Sequence, residues 1–465
     1  MVYHKILPNL IPVVFIFIFT SPTSSQTISA GGHHNIIICQ DGATMAWGQN
    51  GFGQLGIDTF STMSDIPVTI PNFTNVKSVA AGHFHTIALK ENGSVWACGR
   101  NGSGELGSSS PERSSVFVEI DTLKNIVSIA SGSYHSLAIK NTGEVWAWGL
   151  NNFGQLGNSA IGGGRKPPSK VIGLTDVIAV AAGHYHSLAL KSDGTVWAWG
   201  ININGELGDS SGINQQVPVK VHSLDNVISI AAGISHSIAL TSENEVFVWG
   251  DNLNSQLGVF GPPAFSPIKL DSLKNIVSIA GSKGNHSSAL DADGKLFMWG
   301  SNGDGQLGIG HNNQPYPQVV TVDLPQIKLL ANGYTYSVVM DESGQIYLWG
   351  SNIYGQLGDG SIQDAYLPQI PEPYCSILNF TNEVEKYSEI KVYPNPFISE
   401  INISSQLNMF KQIQVVDGFG RISQHVNFTE TTFQTIDLSY LTFGVYFIKV
   451  IDSNGRVTTR MLVKS

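Results

Sequence analysis

Along most of the chain, apolar segments of about four to six residues alternate with breaks rich in Gly, Asn and Asp. This is the pattern of half-buried antiparallel strands rather than of helices. The segments belong to a repeat. Its fullest copy reads Ala182-Gly183-His184-Tyr185-His186-Ser187-Leu188-Ala189-Leu190, then Asp193-Gly194, Val196-Trp197-Ala198-Trp199-Gly200 and Gly205-Glu206-Leu207-Gly208. An anchoring histidine recurs at His34, His85, His135, His186, His236 and His286, with Tyr336 in the seventh copy. Thirteen residues on stand Trp47, Cys98, Trp148, Trp199, Trp249, Trp299 and Trp349, each followed by Gly. In the second copy the pattern predicts strands at Val76 to Ala81, Thr86 to Lys90, Ser94 to Cys98 and Val68 to Ile70. A tight turn such as Asn92-Gly93 or Asp193-Gly194 joins two of them. Four strands per repeat of about 50 residues, seven times over, predict an all-β fold with a seven-bladed β-propeller. The segment Tyr366 to Pro371 either completes the last blade or crosses over to close the ring. Crossing over would bring Cys375 towards Cys39.

The pattern changes at both ends. Residues 1–25 carry an apolar run, Ile6 to Phe19, between a basic start and the small polar residues Ser21 to Ser25. This is the layout of a secretory signal peptide, and the run is short for a membrane span. The mature chain is therefore expected to lack a transmembrane segment and to function outside the cytoplasm. The propeller is expected over 26–372, followed by a linker over 373–388. Residues 389–465 then alternate as about seven further strands, the signature of a small β-sandwich.

Charge narrows the function. The 25 basic and 35 acidic residues give a net charge of −10, with no basic stripe to neutralise nucleic-acid phosphates. Three cysteines form neither a disulfide framework nor a zinc pair. Neither a zinc-protease motif nor a phosphate loop occurs, and no pair of carboxylates stands out from the turn pattern, so no catalytic residue and no cofactor is assigned. Asp291-Ala292-Asp293-Gly294 lacks the later ligands of a calcium loop and falls on the repeated turn. The anchoring histidines lie one blade apart, too dispersed to share a metal. Each is expected to hydrogen-bond backbone within its own blade. The repeated tryptophans are expected to pack between blades.

Recognition chemistry lies where the copies differ. In an up-and-down blade the connection between the first two strands and that between the last two emerge at one end. The variable positions there include His33, His83, Phe84, Tyr134, His184, Tyr185 and Tyr334. After each Trp-Gly pair come Phe52, Ser103, Phe153, Ile203, Leu253, Asp304 and Tyr354. Aromatic side chains with polar tips favour recognition surfaces. Phe52, His83, Phe84, Tyr134, Phe153, His184, Tyr185, Tyr334 and Tyr354 are therefore the candidate binding residues.

The combination G-x-x-H-[ST]-x-A-L with W-G-x-N-x-x-G-[QE]-L-G over residues 26–372 resembles the regulator of chromosome condensation repeat family of seven-bladed propellers. Cys98 and Tyr336 depart from its pattern. Tyr393-Pro394-Asn395-Pro396, Gly444-Val445-Tyr446 and Met461-Leu462-Val463-Lys464 resemble the type A C-terminal sorting domain of the type IX secretion system. That resemblance implies a chain from the Bacteroidota, handled by the type IX machinery through residues 389–465 and released or attached at the cell surface. Nucleotide exchange on a small GTPase, known in eukaryotic propeller relatives, is not expected outside the cell. The expected function is a non-enzymatic binding module for an extracellular glycan or protein. The alternatives are an inhibitor of an extracellular enzyme, or a polysaccharide-degrading enzyme with carboxylates in the channel.

Overall fold

The computed structural model describes residues 27–109, 111–162, 167–314, 318–371, 375, 390–393, 398–405, 410–417, 422–442, 444–452 and 457–464. The expected signal peptide and, apart from Cys375, the linker lie outside these residues. The chain divides into two compact units between Ile377 and Leu378.

Seven four-stranded antiparallel sheets form the first unit, each from one continuous stretch of chain. Blade 1 holds strands Thr27–Ala30, His34–Ile38, Thr44–Gln49 and Met63–Thr69. The later blades run over 76–119, 126–170, 177–220, 227–269, 276–322 and 327–369. This phasing corrects the assignment of Val68 to Ile70, which completes blade 1 and not the blade begun at Val76. The strand Ala365–Gln369 pairs within blade 7 and does not cross over to blade 1.

The second strand of each blade is buried on both faces because neighbouring blades cover it. His236–Thr241, for example, has no exposed residue. Val246, Val248 and Leu240 of blade 5 pack with Trp299 and Ala289 of blade 6. The core is thus a series of inter-blade seams, as expected for stacked repeats that bury their faces against neighbours.

The ends of the ring meet through other means. The Tyr336 hydroxyl donates to the His34 carbonyl at 2.8 Å, and Tyr334 N donates to the Gly32 carbonyl. Cys39 in the hairpin of blade 1 forms a disulfide with Cys375, beyond blade 7, across 336 residues. The sequence tied this pairing to a strand crossover. In the structure the pairing forms while Ala365–Gln369 stays in blade 7.

Among the described residues the second unit has seven strands in two sheets, of three and four strands. Ile401 and Ile403 from one sheet pack with Ile413, Val415, Ile448 and Val450 from the other, forming a sandwich core. The Lys464 ammonium donates to the Leu438 carbonyl at 3.0 Å, and the Tyr446 hydroxyl donates to the Thr442 carbonyl. Gly444 opens the strand that pairs with the one ending at Lys464. The side chain of Tyr393 and residues Pro394, Asn395 and Pro396 lie outside the described residues.

Candidate functional site

The loop face rests on hydrogen bonds repeated in all seven blades. The Asn of each W-G-x-N segment accepts from the Leu amide five residues on, as Asn202 does from Leu207 at 2.9 Å. The side chain of each Gln or Glu before that Leu accepts from the amide two residues earlier. These amides belong to Phe52, Ser103, Phe153, Asn204, Asn254, Asp304 and Tyr354. That register corrects two positions. Asn204 and Asn254, not Ile203 and Leu253, are the counterparts of Phe52, and the two aliphatic residues occupy the preceding, exposed position.

The Gln or Glu carbonyl then accepts from the indole Nε1 of the next blade. All six such tryptophans (Trp47, Trp148, Trp199, Trp249, Trp299 and Trp349) are fully buried and bond at 2.8–3.0 Å. Where Cys98 replaces Trp, Phe117 (8% exposed) packs with Cys98 in the same seam and stacks on Phe73.

The anchoring histidines behave differently from the sequence expectation. They do not bond backbone in their own blade. His34, His85, His135, His186, His236 and His286 each place Nε2 at 2.6–3.1 Å from a Ser or Thr hydroxyl of the following blade. Ser187 spends its proton on the Gln155 carbonyl, so it must accept from His135 Nε2–H. Burial suits this neutral tautomer and lowers the pKa of His135 and His236 to about 3. The tight G-x-x-H turn needs glycine: a Cβ on Gly233 would sit 1.9 Å from His236 Cε1. The glycine after each tryptophan, such as Gly250 with φ 104°, turns the chain into the loop.

On this frame the candidate residues form one continuous arc of half-buried rings. His33 links Tyr354 (centroids 4.9 Å apart) and Tyr334 (5.7 Å), and Tyr334 lies 5.2 Å from His83. His83 packs on Phe84 at 4.3 Å, and Phe84 contacts Phe52 at 5.1 Å and Tyr134 at 6.3 Å. Tyr134 then meets His184 at 5.2 Å, His184 meets Tyr185 at 4.0 Å, and Tyr185 meets Phe153 at 4.9 Å. These spacings are those of mutually packed aromatic rings. Burial lowers the pKa of His33 and His184 to about 4 and that of His83 to about 3, so all three are neutral at pH 7.

The arc spans blades 7, 1, 2, 3 and 4 and stops at blades 5 and 6, which carry Ile234, Ser235 and Asn285 at the matching turns. Sequence reasoning did not single out Arg100. Its guanidinium lies 5.4 Å from the Tyr134 ring and pairs with buried Glu105. Among the described residues no group of three or more His, Cys, Asp or Glu side chains could hold a metal. The Asp291 carboxylate is occupied by the amides of Asp293 and Lys295 in its turn.

These features define a seven-bladed propeller with a variable aromatic loop face and a separate C-terminal β-sandwich. The RCC1-like domain family matches residues 111–395, more than half of the chain, and RCC1 repeats match 41–89 and 76–105. The chain belongs to the RCC1-like domain family. A secretion system C-terminal sorting domain matches residues 391–464 and indicates export by the type IX route to the cell surface or medium.

Among curated relatives, the probable E3 ubiquitin-protein ligase HERC6 of Homo sapiens is 34% identical over 192 residues, 39% of this chain and 19% of that protein. The mitochondrial RCC1 domain-containing protein RUG3 of Arabidopsis thaliana is 35% identical over 206 residues, 43% of this chain and 35% of that protein. The chain thus spans about a third or less of the length of these relatives. Prp20p from Saccharomyces cerevisiae superimposes with a TM-score of 0.62 at 26% identity, covering 74% of this chain and 87% of its own. Human WBSCR16 gives 0.63 at 21%, covering 70% and 92%. Among the described residues no helix is long and apolar enough to cross a membrane.

Proposed function

We propose that the chain is an exported, non-enzymatic binding module that docks an extracellular saccharide along the aromatic arc. Residues 1–25 serve as the export leader and residues 389–465 engage the secretion machinery. The observation that carries the reading is the continuity of the arc. Nine candidate side chains from five blades, with His33 added, form one half-exposed surface on a loop frame that is otherwise hydrogen-bonded identically in every blade. Rings held by neighbouring rings lose little freedom on binding, which favours stacking on the faces of sugars. Repeat proteins vary such positions while keeping the frame.

Affinity electrophoresis of the purified chain through gels containing plant and bacterial polysaccharides tests this. Retardation of the native chain is expected, with its loss in a Tyr134→Ala/Tyr185→Ala/Tyr354→Ala variant. Equal retardation of both would place the ligand on another face. Retardation by no polymer would contradict the saccharide reading.

A further inference from the structure

The seven first strands enclose a central cavity of about 380 Å³, within the range of small-molecule sites. Its wall is mostly Ala, with Ile, Val, Leu, Ser and Gly, and among the described residues neither Asp nor Glu lines it. One cation enters it. Lys283 sits in the turn of blade 6, at the end of the propeller that carries the arc, and that turn holds the extra residue of the sixth repeat. Its ammonium donates to the Ser131 carbonyl in blade 3, so the side chain crosses the mouth of the channel. Beside it Ser282 forms a parallel bridge with Asn332, the last residue of the first strand of blade 7.

Asn332 is 4% exposed and lines the cavity. Its Nδ2 donates to the Ala280 carbonyl and the Ser288 hydroxyl, while Oδ1 has no donor among the described residues. The corresponding ends of the other first strands are Ala30, Ala81, Ser131, Ala182, Ala232 and Gly281, so Asn332 is the one amide among small residues.

From this juxtaposition we infer that the channel mouth takes a sugar acid, its carboxylate on Lys283 and a hydroxyl donating to Asn332 Oδ1. The inference rests on the arc being the saccharide-docking face, and it names the ligand class as acidic. A partly buried ammonium in an apolar mouth, with the Ser131 carbonyl as its hydrogen-bond partner among the described residues, gains most from a carboxylate, because a charge in an apolar setting is costly until it is paired. An orphaned buried acceptor in the same mouth calls for a donor. A sugar acid carries both groups on one small ring, whereas an Asp or Glu side chain of a protein partner carries only the carboxylate. Burial lowers the Lys283 pKa to about 8, which leaves most of the group protonated at pH 7.

The test uses the full chain in gels containing polygalacturonate, the same polymer fully methyl-esterified, or poly-glutamate. The chain has a net charge of −10, so bulk attraction does not retain it on a polyanion. The inference expects retardation by the free acid at least tenfold stronger than by the ester. It expects that difference to vanish in Lys283→Met and to persist in Lys283→Arg. Weak retardation of Lys283→Met by the ester serves as the control that the arc is intact. Equal retardation by acid and ester, lost only in the aromatic variant, would overturn the inference while leaving the docking face standing. Retention on poly-glutamate as strong as on polygalacturonate would overturn it in favour of an acidic protein partner. Retardation by none of these three polymers would overturn the inference, while the docking face would still stand or fall on the wider panel of plant and bacterial polysaccharides.

Discussion

The seams between blades and the loop face are built from the same repeats yet differ in what they hold constant. At the seams, the His to Ser/Thr bond recurs six times and the indole to carbonyl bond six times, with full burial at each. On the loop face, the backbone and its Asn and Gln or Glu bonds recur, but the half-buried side chains change from Phe84 to Tyr134 to Tyr185 to Ser235. The difference teaches that the recurring residues hold the ring together and that the variable ones are free to be selected for contact.

The largest expected effect comes from breaking a seam. Trp249→Ala removes a fully buried indole and should cost about 3–5 kcal/mol of stability, read as a lowered denaturation midpoint. Tyr185→Ala should change that midpoint by no more than about 1 kcal/mol. An equal cost for the two would erase the distinction between seam and face.

Next comes the junction of blades 7 and 1. Reducing the Cys39–Cys375 disulfide, or replacing both cysteines by Ser, should cost about 2–5 kcal/mol, because it frees the ends of a ring in which every described blade is built from its own consecutive strands. Thermal unfolding with and without reductant measures this. A Cys98→Ser control keeps the disulfide and should lose as much stability to reductant as the native chain, whereas the variant with Ser at positions 39 and 375 should not respond.

Acid should act on the seams as well. The buried histidines have folded pKa values near 3, as for His34, His186 and His286, against about 6.5 when unfolded. The unfolded chain therefore binds more protons between those values. Stability is fully present above about pH 7 and is lost as pH falls from 6.5 towards 3. Each such histidine contributes a slope of at most about 1.4 kcal/mol per pH unit, so His236→Gln should flatten the profile of midpoint against pH. A profile flat down to pH 4 would contradict the neutral, buried assignment.

A smaller effect sharpens the comparison inside one seam. Cys98→Trp restores the repeat but meets Phe117 in the same seam, and should destabilise by about 1–3 kcal/mol. A gain in stability would mean that Phe117 does not fill that space.

Much of this was legible in the sequence. The repeat period, the turn pairs and the Trp-Gly register specify seven blades, and the candidate aromatic residues all fall on one face. What was not legible depends on distances between repeats. Periodicity cannot tell where a circular pattern is cut, so Val68 to Ile70 was placed one blade late. It could not show that His135 reaches Ser187 of the next blade rather than backbone in its own. The one-residue misregister at Ile203 and Leu253 arose because the loop bonds that define the register involve backbone amides. Lys283 left a signal, the extra residue of the sixth repeat, but only the ring geometry shows that its side chain reaches blade 3.

Hydrogen–deuterium exchange of the full chain, with and without a polysaccharide that retards it, tests the central claim most directly. Protection is expected at the turns around Phe84, Tyr134, Tyr185 and Tyr354, with none at the opposite hairpins around Gly93, Gly143 and Gly194. Protection confined to those hairpins, or spread evenly over both ends of the propeller, would contradict docking on the aromatic arc.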